Sequence, residues 1–134
     1  MFRYLSLLLL SSSFNLMSKE PPPLMVDRFV PNSVVWSFPN DSNVRPKQSE
    51  FEILHYAVMS NEKGERWSAI TLVNTSSGTR QLEPEHMMAL FADGSRISPR
   101  SKTLNFKGNE TQSVTVSFGE HKFPILAIYT SNSL

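Results

Sequence analysis

Hydrophobic and polar positions alternate most cleanly between Thr111 and Phe118. Gln112, Val114, Val116 and Phe118 fall on one side of a period of two, and Thr111, Ser113, Thr115 and Ser117 fall on the other. Successive side chains of a strand point to opposite faces, so the run predicts a half-buried β-strand with one apolar and one hydroxyl-rich face. The next run, Pro124–Tyr129, is apolar at every position. It predicts a strand covered on both faces, returning beside the first and reaching Thr130 as the closing central strand. The rest of the chain reads as material that packs against this pair.

Upstream, Leu24–Val30 reads as a first strand. Ser33–Phe38 reads as a second, with Val34, Trp36 and Phe38 on one face and the turn cluster Pro39–Ser42 behind it. In Phe51–Met59, the residues Phe51, Ile53, His55, Ala57 and Met59 alternate against Glu52, Leu54, Tyr56 and Val58. The polar turn Asn61–Glu65 then leads into Trp67–Asn74, which predicts an antiparallel hairpin. Asn74–Gly78 is a loop, and Arg80–Glu85 crosses between sheets. His86–Ala92 reads as a strand closed by the Asp93–Gly94 turn; a helix over Glu83–Phe91 with Pro84 in its first turn is the competing reading. Thr103–Phe106 is a short strand, and Lys107–Glu110 turns into the opening run. Up to eight short strands with turns between them predict an all-β, antiparallel two-sheet sandwich.

Composition sets the context. A chain of 134 residues with 40% hydrophobic and 19% charged residues suits one domain with a sandwich-sized core. A net charge of +1 gives no field to gather nucleic acid or an anionic membrane. Arg3, the apolar run to Leu10 and the proline-rich exit read as a signal peptide over residues 1–18, a spacer at 19–23 and a sandwich domain at 24–134. The apolar run is shorter than the ~20 residues a spanning helix needs, so the cleaved product is not membrane-spanning. The chain has no cysteine, which excludes disulfides, thiolate metal sites and a cysteine nucleophile. An exported chain without disulfides points to a bacterial envelope, and hence a periplasmic or secreted protein. The sequons at Asn40, Asn74 and Asn109 are read as chance occurrences in an Asn-, Ser- and Thr-rich chain.

Several of these stretches share a pattern. Ile70–Ser76, Leu82-x-Pro84, Leu90–Gly94, and Leu104-x-Phe106-x-Gly108-x-Glu110-Thr111 running into Val114-x-Val116-x-Phe118 resemble bacterial exported immunoglobulin-like sandwich domains. The resemblance spans roughly Trp67 to Tyr129. It implies an immunoglobulin-like sandwich of seven to eight strands, without the Cys-Trp-Cys core of antibody domains. Its motifs are turn chemistry, so no functional residue carries over from it.

The candidate chemistry is sparse. There is no Gly-x-Ser-x-Gly elbow, and an enzyme would require His55, His86 or His121 beside a carboxylate in a cleft. His86 and Met88 share a face if both lie on a strand. With His55, Met59, His121 or Met25 they offer the imidazole and thioether set that suits copper(I); methionine in an apolar strand more commonly fills core space. Between Gly94 and Gly108 the chain carries Arg96, Arg100, Lys102 and Lys107 and no acid, a candidate surface for an anionic partner. The alternative is a solvated loop with edge cations that discourage strand pairing. Trp36, Trp67 and Tyr56 read as core residues rather than a ligand platform. The leading expectation is a non-enzymatic exported sandwich acting in protein–protein or envelope interaction, with no cofactor and no nucleic-acid partner. Its interaction surfaces are Arg96, Arg100 and Lys102 and exposed sheet edges. The alternative is a periplasmic copper-binding protein using His86 and Met88.

Overall fold

The structure, a computed structural model, describes residues 22–27, 36–38 and 44–133. The signal peptide and most of the spacer expected from the sequence lie outside these residues. So do parts of the first two expected strands. Of what is described there, β1 is only Met25–Val26, and Trp36–Phe38 is not strand.

The described chain is all-β and antiparallel. After β1 come β2 (Phe51–Ser60), β3 (Glu65–Asn74), β4 (Arg80–Leu82), β5 (Met87–Phe91), β6 (Arg96–Ile97), β7 (Leu104–Phe106), β8 (Thr111–Glu120) and β9 (Ile125–Thr130). They form a four-stranded sheet in the order β1-β2-β3-β8, a three-stranded sheet β6-β5-β9 and a two-stranded pair β4-β7. One buried cluster draws on all three sheets. Phe51, Ile70, Leu72, Val114 and Val116 come from the first, Met87, Phe91 and Ile128 from the second, and Leu82 and Phe106 from the third. Edge-to-face aromatic contacts tie the layers together: Phe51 meets Phe106 at 5.1 Å and Phe91 meets Phe118 at 6.4 Å.

The β2–β3 hairpin forms as the sequence predicts. Its turn uses Gly64 at φ +79°, and the Asn61 side chain accepts the Glu65 N–H. The strict alternation expected along β2 breaks at Leu54. A bulge between Ile53 and His55 leaves Leu54 unpaired and half-exposed, and after it Tyr56 and Val58 turn inward. His55, Ala57 and Met59 therefore lie on the outer face, opposite Thr71, Ala69 and Trp67. Trp67 is thus a half-buried outer-face residue, not part of the core cluster.

Two other expectations are corrected. The stretch before β5 divides between the competing readings: Pro84–His86 makes one 3-10 turn, and the strand starts only at Met87. Pro84 lacks an N–H and suits a first helical turn, while Met87–Phe91 is fixed by its ladders with β6 and β9. Secondly, β8 and β9 do not pair. β8 bulges against Arg66 and Trp67, with Gly119 at φ +79°, and ends at Glu120, after which the chain passes to the other layer. There, among the described residues, β9 pairs with β5 alone, which makes it an edge strand rather than a central one. Its end lies against the start of β2, where the Thr130 hydroxyl donates to the Phe51 carbonyl at 2.9 Å.

Candidate interaction edge

The register of β8 on β3 fixes which of its backbone groups are used. Asn74 N–H donates to the Glu110 carbonyl at 2.9 Å on the β3 side, and Arg100 N–H donates to the Ser117 carbonyl at 2.7 Å on the opposite side. Along an antiparallel strand the backbone direction alternates residue by residue. Both observations give the same parity. Gln112, Val114 and Val116 bond to β3, and Thr111, Ser113, Thr115 and Ser117 turn their N–H and C=O groups outward. Only Ser117 has its outward carbonyl engaged; among the described residues nothing bonds the outward backbone of Thr111, Ser113 or Thr115. Their side chains, all exposed, line the outer face, and Thr71 and Ser113 share a 2.7 Å hydroxyl contact across the sheet.

Three of the usual protections are missing from this edge: shortness, charge and proline. Proteins blunt free edges by shortness, charge, proline or cover. β1 and β6 are each two residues long, and β4 carries Arg80. β8 is ten residues long and holds neither a charge nor a proline from Thr111 to Gly119. The Ser101–Thr103 stretch leads from Arg100, beside Ser117, toward β7, where the Asn105 carbonyl accepts from the Gln112 amide at 2.8 Å. All three of its residues are exposed.

The foot of the edge is anchored by Asn74, which is fully buried. Its amide donates to the Gly78 and Lys107 carbonyls at 2.9 and 3.0 Å, and its Oδ1 accepts the Ser76 N–H at 3.0 Å. The sequon asparagine is therefore a structural knot between the β3–β4 loop and the β7–β8 turn. Gly108 completes the knot, because a Cβ there would lie 2.1 Å from the Ser77 carbonyl oxygen.

The expected basic surface is divided. Arg96 is half-buried in β6, its guanidinium 5.6 Å from the Tyr129 ring and bonded to the Tyr129 hydroxyl at 2.7 Å. Arg100 and Lys102 are exposed, and Arg100 lies over Gly119 at the end of β8. His86 and Met88 have separate partners. His86 sits in the 3-10 turn rather than on the strand, where Nδ1 accepts the Glu83 N–H at 3.0 Å and the ring packs 5.5 Å from Phe51. Burial there holds its imidazole below the ordinary histidine range, against the opposing pull of Glu83. The Met88 sulfur lies 3.9 Å from the Tyr129 hydroxyl. Copper binding by this pair would have to displace contacts on both. Among the described residues no group of three or more His, Asp or Glu side chains converges as a metal cage.

One histidine does lie beside a carboxylate. His121 stacks on Phe91 at 3.8 Å, with Nε2 3.2 Å from the Ser95 hydroxyl and 3.8 Å from Asp93. Nδ1 lies 3.1 Å from the Phe123 N–H and 3.2 Å from the Phe123 carbonyl oxygen. The Ser95 hydroxyl donates to Asp93 Oδ1 at 2.6 Å, so its proton points at the carboxylate and not at Nε2. These bonds from the Ser95 side chain and backbone hold the Asp93 carboxyl below its usual range. Nucleophile activation needs an imidazole lone pair facing the serine proton. The trio instead fastens the β5–β6 turn to the β8–β9 link.

Sequence reading found the hydroxyl face of β8 but missed its open edge. No local signal marked it, since the uncharged stretch Thr111–Phe118 reads equally as a strand in mid-sheet. Comparison of the chain with protein-family models, curated proteins and solved structures finds no match.

Proposed function

We propose that this chain is a non-enzymatic interaction module that takes up an added β-strand along the outer edge of β8. The observation that carries this reading is the row of outward backbone groups on Thr111, Ser113 and Thr115, which no described group bonds. Strand addition supplies main-chain hydrogen bonds to such an edge, and alternate side chains give specificity. Arg100 and Lys102 flank the row and favour a partner with acidic residues beside its pairing segment. The division into β2-β3-β8 and β6-β5-β9 sheets around one core supports an immunoglobulin-like sandwich. The reading of residues 1–18 as a signal peptide supports a periplasmic or secreted setting.

The test is site-specific photo-crosslinking in cells, with a photoreactive residue at Ser113 and a control at Ala57, two strands away on the same face. An adduct at position 113 that is weak at 57 is expected. Thr115→Pro removes one outward N–H and no bond to β3, and should abolish the adduct. Equal adducts at both positions, or none at 113, would refute the reading.

A further inference from the structure

We infer that the strand taken up by β8 is β8 of a second copy, paired antiparallel about a two-fold axis at Ser113. This inference rests on the strand-addition reading above and goes further by naming the occupant. The outward row is self-complementary. With the axis at Ser113, Thr111 of one copy faces Thr115 of the other, and Ser113 faces itself. The inner row sets Gln112 against Val114. Thr–Thr and Ser–Ser pairs are favourable cross-strand neighbours, and no like charges meet along this stretch.

The register follows from what is already engaged. Centring the axis on Thr115 would bring Ser117 into the ladder, yet its carbonyl already accepts from Arg100. It would also set Glu110 opposite Glu120. Centring on Ser113 uses only Thr111–Thr115 and closes about six new backbone hydrogen bonds, two for each outward residue pair. It also carries the Glu110 turn toward the other copy's Ser117, where Arg100 lies, so opposite charges approach at each end. Ser101–Thr103 must move aside. No hydrogen bond of these three residues to β8 exists to be broken. The two four-stranded sheets then join into one, and an isologous contact of this kind closes as a dimer.

The experiment is sedimentation equilibrium on the purified protein between about 1 and about 500 μM, a range that spans weak association. The wild type should move from monomer toward dimer mass. Ser113→Lys and Ser113→Glu should each stay monomeric over the range, because the axis sets each charge against its own copy. Mixing the two variants should restore a dimer containing one of each. Ser113 is exposed and, among the described residues, its side chain bonds only Thr71, so both variants should keep the wild-type melting temperature within a few degrees. A wild type that stays monomeric, a dimer that survives Ser113→Lys, or a mixture that fails to associate would each overturn self-pairing. A monomeric protein that still crosslinks another protein from position 113 in cells would leave strand addition standing and remove only the second copy as its occupant.

Discussion

Asn74→Ala tests how the foot of β8 is held. The substitution removes three hydrogen bonds made by a fully buried side chain, to the Gly78 and Lys107 carbonyls and from the Ser76 N–H. Each is worth about 1 kcal/mol net, and the groups left behind cannot all reach water, so the expected loss is about 3 kcal/mol. That is a large share of the 5–15 kcal/mol typical of a domain, and corresponds to a fall in Tm of about 10 °C. Urea unfolding followed by tryptophan fluorescence would measure it, with an unchanged m-value expected. Asn74→Asp should cost at least as much, since it keeps the acceptor but sets a carboxylate against two carbonyl oxygens. A loss below about 1 kcal/mol for Asn74→Ala would refute the claim that this side chain ties the two loops together.

Other outcomes follow from the same geometry. Gly108→Ala should destabilise by about 3 kcal/mol, because its Cβ meets the Ser77 backbone at 2.1 Å; Gly78→Ala, which meets only the movable end of Arg80 at 2.9 Å, should be far milder in the same urea assay. His86 is lowered from its ordinary value of 6.5 by burial, so the unfolded chain takes up its proton first as pH falls. Its contribution is therefore complete above about pH 6.5 and declines as pH drops from there toward the lowered folded value; His86→Gln should flatten the pH dependence of the urea midpoint in that window.

Much of this architecture is legible in the sequence because it is written in local rules. The period-2 pattern locates β2, β3 and β8, and the Asn61–Gly64 and Asp93–Gly94 turns locate two hairpins. What escapes is decided at longer range. The bulge at Leu54 sends His55 and Met59 to the outer face, and no composition signal marks a single unpaired residue. β8 and β9 join different sheets, and the bulge with its left-handed Gly119 near the end of β8 is not disclosed by a short polar link. Pattern also cannot distinguish a hydroxyl face in mid-sheet from one at an edge, since both alternate identically. Arg96 illustrates the same limit for charge: its place in the sequence groups it with Arg100 and Lys102, while β6 turns it onto Tyr129.

The most direct measurement is residue-resolved amide hydrogen exchange along β8 in dilute, monomeric protein. The account predicts an alternation, with Val114 and Val116 slow and Thr111, Ser113 and Thr115 fast, because only the first two bond to β3. The fast set should become protected when an added strand binds. Uniformly slow exchange from Thr111 to Val116 in the monomer would mean that the edge is already covered, and would contradict the account at its centre.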